Sequence, residues 1–152
     1  MSAAALASES DTKPGKDAPP FGAVADDILI VRVEGIVDAA EQKGPERVVM
    51  LSTFAVPRDR LTPVTKVVTG IAMGSQIKDK TAGEEVLRAS SLDWTIVYAT
   101  KLTNGPKTEA RVVPESEKVR LSQKISRAGV ASFLLQAATE DLYSRRGVVI
   151  TG

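Results

Sequence analysis

Residues 80–108 read KTAGEEVLRASSLDWTIVYATKLTNGPKT. Ala82, Val86, Leu87 and Ala89 recur at helical spacing among Lys, Glu and Arg, so residues 78–90 read as one amphipathic helix. Asp93–Ala99, DWTIVYA, is a short β-branched and aromatic run, the composition of a strand buried on both faces. The strand ends in a polar loop, TKLTNGPKT, in which Asn104, Gly105 and Pro106 form a turn. A helix running directly into a buried strand that opens on hydroxyls and amides is the unit of an α/β fold. Such folds keep their ligands beyond the carboxyl ends of the strands.

The pattern repeats outward from this stretch. DDILIVRVEGIVDAAEQKG opens on two acids able to cap a helix and closes on Gly44, a residue suited to a helix C-terminus. Its Ile28–Val33 part, taken alone, is also compatible with a strand, but Ile36, Val37, Ala39 and Ala40 continue it without a turn signal. Arg47 to Ser52, RVVMLS, reads as a second buried strand, followed by the ligand-side loop STFAV. A short helix is expected near residues 64–73, a short strand in EARVVP (109–114), a last helix over 127–140 and a last strand in GVVIT (147–151). Helices alternating with apolar strands predict an α/β sandwich around a mainly parallel sheet, with no internal repeat. Residues 1–25, rich in Ala, Ser and Pro, read as a disordered tail ahead of a domain over 26–152.

Composition narrows the chemistry. The 152 residues contain neither cysteine nor histidine, which excludes disulfides, thiolate chemistry, Cys/His metal sites and every triad with an imidazole base. Ser, Thr, Tyr, Lys, Asp and Glu remain for catalysis, and a bound organic cofactor is the natural carrier of harder chemistry. With 20 basic and 19 acidic residues intermixed, the net charge is +1, so nucleic acid and anionic membranes are not expected partners. Apolar runs reach only about six residues, too short to span a bilayer. The first twenty residues fit neither a secretory nor a mitochondrial leader, leaving a cytoplasmic location as the expectation.

Four segments, in order, resemble the carboxyl-terminal two thirds of an atypical short-chain dehydrogenase/reductase of the NAD(P)H-binding, NmrA-like and flavin-reductase-like group. VEGIVDAAEQKGPERVVMLST resembles the helix and strand running into a Ser-Ser or Ser-Thr motif, and KTAGEEVLRASSLDWTIV the Lys-bearing helix and next strand. LTNGPKT resembles the loop that follows, and KISRAGVASFLL the start of the last large helix. The resemblance implies an NAD(P)-binding, Rossmann-like fold with helices on both faces, a dinucleotide ligand (NADP or NAD), and NAD(P)H-dependent oxidoreductase chemistry. It implies Thr53 as the hydroxyl that polarises a substrate carbonyl and Lys80 as the ribose-holding lysine. Ser52, Thr53, Lys80, Tyr98, Ala99, Thr100 and Leu102 become cofactor-side residues, and no metal is implied.

The sequence departs from that pattern in four places. The family's proton-donating Tyr, four residues before the Lys, is here Gln76, whose amide has no titratable proton. Tyr98, Ala99 and Thr100 stand where Arg-Pro-Gly is usual, and Ser91 stands where Gly ends the helix in a left-handed conformation, a change costing about 1 kcal/mol. No Gly-x-Gly-x-x-Gly turn occurs among the eleven glycines; Gly70 and Gly74 are the nearest approach. The first three strands of the fold are therefore expected to be missing. The strand at 47–52 would then be a bare apolar edge, implying a truncated form or a partner, such as a second copy, that covers it. A non-catalytic dinucleotide-sensing or interaction module is the alternative function. Blander readings also stand: Thr53 as a backbone cap, Lys80 with Glu84 as a solvated i,i+4 pair, and Trp94 with Tyr98 as core rather than ligand-stacking rings.

Overall fold

The computed structural model describes residues 4–6, 27–45, 47–140 and 142–152. In chain order the elements are strand β1 (Ala4–Leu6), helix α1 (Asp27–Lys43), strand β2 (Arg47–Thr53), a 3-10 turn (Arg58–Arg60) and helix α2 (Pro63–Ala89). Strands β3 (Asp93–Ala99), β4 (Lys101–Thr103), β5 (Arg111–Val112) and β6 (Lys124–Ser126) follow, then helix α3 (Arg127–Thr139) and strand β7 (Arg146–Thr151). One sheet has the order β1-β2-β3-β7-β5; its first four strands are parallel and β5 is antiparallel at the edge.

Both faces of this sheet are covered, which is why its strands are apolar throughout instead of alternating. On one side Val48, Trp94, Ile96 and Tyr98 pack with Val37 of α1 and Leu87 of α2. On the other, Val49, Val97, Ala99, Val148 and Ile150 pack with Val130, Phe133 and Ala137 of α3. The α/β, Rossmann-like architecture expected from the sequence is the one observed. Of the two readings of Trp94 and Tyr98, the rings share one core beneath α2.

The amino-terminal segment needs correction. Within the stretch read as a disordered tail, Ala4–Leu6 pairs in parallel with Val48, Val49 and Met50. The bare apolar edge expected on β2 is thus covered there by the chain itself. Ala-Ala-Leu carries no β-branched residue, so composition gave no strand signal; the ladder with β2 makes the strand. Residues 1–3 and 7–25, the rest of that stretch, lie outside the described residues.

Two expected helices, near 64–73 and over 78–90, are one helix, α2, kinked at Met73 (φ −134°, ψ 18°). The kink falls immediately before Gly74-Ser75, a pair of the kind that bends helices. Ser91 does not carry the left-handed strain anticipated for it. The helix ends through an extended Ser90 (φ −71°, ψ 163°), and among the described residues the non-glycine positions with positive φ are Tyr143 and Arg145. Ser91 instead donates its N–H and its hydroxyl to Glu41 Oε1 of α1, both at 2.9 Å, holding the Glu41 carboxyl below its ordinary pKa. At the end of α1, Gly44 donates to Ala40 O (2.9 Å), and a Cβ there would lie 2.3 Å from the Ala40 Cα. The sequence reading of a glycine stop therefore has a steric reason.

The loop after β3 also carries structure the sequence did not reveal. Lys101–Thr103 pairs in parallel with Lys124–Ser126, forming a separate two-stranded sheet. Ser126 then caps α3, its hydroxyl oxygen accepting from Gly129 N–H (3.0 Å) and Thr108 N–H (2.8 Å). This small sheet fixes the loop where it leaves β3, beside the carboxyl ends of β2 and β3. Among the described residues no helix is long and apolar enough to cross a membrane.

Candidate functional site

β2 and β3 end level with one another: Thr53 pairs with Ala99, Phe54 N–H donates to Ala99 O (3.1 Å), and Thr100 N–H donates to Ile150 O (3.1 Å). Beyond these ends lies a cleft of about 470 Å³. Its floor is the strand ends, one wall is α2, and another is the start of β4. The kink gives α2 its part in this. Val68, Ala72 and Met73 line the cleft from the turns leading into the bend, and Lys80 lines it from beyond the bend. A helix bent at this point follows the cleft on both arms.

Six of the seven residues expected from the sequence meet in this one place: Ser52, Thr53, Lys80, Ala99, Thr100 and Leu102 all line the cleft. Tyr98 does not; its ring packs in the core with Trp94 and Leu87, beneath α2. Gln76 is exposed on α2 and is also outside the cleft lining, so that position supplies neither a titratable group nor a wall. Among the described residues no cluster of acidic side chains is suited to a metal ion.

The two adjacent hydroxyls are held differently. Ser52 is 5% exposed and donates its hydroxyl hydrogen to Glu84 Oε1 at 2.6 Å. Tyr98 donates to the other carboxylate oxygen, Glu84 Oε2, at 2.5 Å and accepts from Arg88 Nη2 at 2.9 Å. Glu84 is 3% exposed, so this carboxylate is a buried hub joining α2 to the ends of β2 and β3. Burial above all, then the hydrogen bond to Glu84 and its negative charge, raise the Tyr98 pKa well above its usual value; Arg88 opposes them. Tyr98 therefore stays protonated across the physiological range. Thr53, by contrast, has no hydrogen-bond partner for its hydroxyl among the described residues and faces the cleft. The backbone-cap reading of Thr53 has no such bond to support it.

The solvated Lys80–Glu84 pair is likewise not what forms. Glu84 is buried against Ser52 and Tyr98, its nearest cation is Arg88 Nη2 at 3.9 Å, and Lys80 is left to the cleft. Sequence reasoning missed the role of Glu84, although a signal existed. Ile77, Glu84 and Leu87 stand seven and three residues apart on the buried face of α2, and a carboxylate there requires donors. The apolar walls from Val68, Met73 and Leu121 were also missed, because they come from segments that read as loop or as a short isolated helix.

A family profile for NAD(P)H-binding proteins matches residues 3–141 of the chain. The chain belongs to the NAD(P)H-binding family. No curated protein matches it at a significant level. Among solved structures, it is similar to a Bacillus halodurans protein assigned as an NAD-dependent epimerase/dehydratase: 20% identity, TM-score 0.70, covering 90% of this chain and 62% of that one. It is similar to a short-chain dehydrogenase/reductase (wide type) from Veillonella parvula DSM 2008 in complex with NADP, at 24% identity and TM-score 0.68, covering 80% and 58%. It is also similar to an anaerobillin reductase from Escherichia coli O157:H7, at 21% identity and TM-score 0.65, covering 80% and 57%. This NAD(P)H-binding chain thus spans about three fifths of the length of these structural relatives.

The residues present fit one end of a dinucleotide better than the other. A free hydroxyl and a lysine converge at the strand ends, groups able to hydrogen-bond a ribose and a carbonyl. The chain's sequence contains no glycine-rich turn of the kind that cradles a pyrophosphate.

Proposed function

We propose that this family member acts as an NAD(P)H-dependent oxidoreductase, with the cleft beyond β2 and β3 holding the nicotinamide end of the cofactor and the substrate. When bound, the dinucleotide supplies a hydride to an electron-poor carbon. The chain's own residues position and polarise the acceptor. Thr53, whose hydroxyl has no described protein partner, donates to a carbonyl oxygen and stabilises the negative charge that develops there. Lys80, on the arm of α2 beyond the kink, donates to ribose hydroxyls and places a positive charge beside the reacting centre. Ser52 keeps its hydrogen on Glu84 and presents an oxygen lone pair.

The observation that carries this reading is the convergence of Thr53 and Lys80 on one cleft at the carboxyl ends of two parallel strands, where this fold keeps its ligand. The NADP complex of one structural neighbour and the reductase activity in another's name support it. A cytoplasmic location belongs to the same reading and rests on the sequence. The test is a titration of the protein with NADPH and NADH followed by Trp94 fluorescence, then an assay of NADPH oxidation over quinones, flavins and aldehydes. Binding with turnover supports the oxidoreductase. Binding without turnover favours dinucleotide sensing, the reading to which the exposed Gln76 lends weight. Absence of binding sinks both.

A further inference from the structure

Thr53 and Lys80 supply polar hydrogens near the strand ends, while Phe54, Val68, Met73, Leu102 and Leu121 supply apolar wall. Three of these apolar side chains remain well exposed: Val68 at 43%, Leu102 at 37% and Leu121 at 39%. They come from three separate segments, α2, β4 and the loop before β6, so their convergence is not the by-product of one amphipathic helix. On α2 the track continues outward through Val64 and Ile71, four residues before and three after Val68, and Ile71 is 84% exposed. No carboxylate lines the cleft among the described residues; its ionisable members are Lys80 and Lys101.

Building on the oxidoreductase reading, we propose that the substrate is a carbonyl compound on an extended apolar body. Its carbonyl meets Thr53 and its body lies between Val68 on one side and Leu102 and Leu121 on the other. Water-exposed aliphatic side chains around a concave site are stabilised when an apolar ligand covers them, whereas a small polar substrate would leave them wet. The absence of a lining carboxylate disfavours cationic ligands. A second copy of the chain could cover the Val64–Ile71 track, but it would not fill the concave part between Val68 and Leu121. The occupant is therefore the apolar carbonyl compound.

The test is a homologous series of methyl ketones, from 2-butanone to 2-nonanone, with dissociation constants measured by ligand-observed NMR on the full chain, with and without NADPH. The expected result is a Kd that falls about fourfold per added methylene over the length of the wall. In the double substitution Val68→Ser with Leu121→Ser, at exposed positions that leave thermal unfolding unchanged, the dependence flattens. Three results would overturn the proposal: a Kd independent of chain length, an unchanged slope in the double variant, or a wild-type dimer that Val68→Ser dissociates while the slope stays the same. A chain-length series that survives while NADPH fails to bind would remove the dinucleotide reading and leave the apolar site standing. Loss of the series with NADPH binding intact would do the reverse.

Discussion

Replacing Glu84 tests whether the buried carboxylate holds the cleft together. It accepts two hydroxyl hydrogens, from Ser52 at 2.6 Å and Tyr98 at 2.5 Å, in a place with almost no water. Glu84→Gln keeps the shape and one acceptor oxygen but turns the other position into a donor, so one charge-assisted bond is lost and the other becomes an ordinary neutral one. A charge-assisted bond contributes about 1.5–3 kcal/mol, and relief of carboxylate desolvation returns part of it, leaving a net loss of roughly 1–2 kcal/mol. For a chain of this size that lowers Tm by roughly 2–8 °C. Glu84→Leu removes both acceptors and strands two buried hydroxyls at about 1–3 kcal/mol each, so it is more damaging than the amide. Adding Ser52→Ala and Tyr98→Phe to Glu84→Leu removes the stranded groups and recovers most of the loss. Thermal and urea unfolding followed by circular dichroism measure all three. A Glu84→Leu variant as stable as the wild type, or a triple variant no better than Glu84→Leu, would refute the hub.

Further outcomes follow from single side chains. Thr53→Val changes stability by less than about 0.5 kcal/mol, because no described residue uses its hydroxyl, yet it lowers any carbonyl turnover by on the order of a hundredfold; unfolding and steady-state assays check the two halves. Tyr98→Phe alters the alkaline limb of stability. A tyrosine whose folded pKa lies above the unfolded value of 10.0 contributes stability that is present below pH 10 and falls by about 1.4 kcal/mol per pH unit as pH rises beyond it. The Tyr98→Phe variant lacks that part of the fall, which urea unfolding at a series of alkaline pH values detects. Gly44→Ala forces a Cβ onto the Ala40 backbone and costs about 2 kcal/mol, read as a lower urea midpoint.

Most strands of the large sheet were legible from local signals, and the ends of β2 and β3 pointed to the polar part of the cleft. Val48, Val49, Ile96 and Val97 announce buried strands, and the loops after them fall at the carboxyl ends where ligands gather in this fold. Thr53 and Lys80 were found through resemblance and then brought to one cleft by β2 and α2. What stayed hidden depends on partners distant in sequence. Ala4–Leu6 is a strand because β2 lies beside it, and Lys101–Thr103 is one because β6 does. Glu84 read as a surface acid; its place on the Ile77–Leu87 face was a local sign of burial, but nothing local names Ser52 and Tyr98, 32 and 14 residues away, as its donors. Met73 bends a helix that propensity alone splits in two at the glycines around it.

The central claim is that Thr53 and Lys80 mark the nicotinamide end of a dinucleotide site. Its most direct measurement is NADPH fluorescence titrated with wild type, Lys80→Met and Thr53→Val. Wild type should bind saturably with enhanced nicotinamide emission, Lys80→Met should bind about tenfold more weakly or less tightly still, and Thr53→Val should bind nearly as wild type. Equal affinity in wild type and Lys80→Met, or no binding by folded wild-type protein, would contradict it.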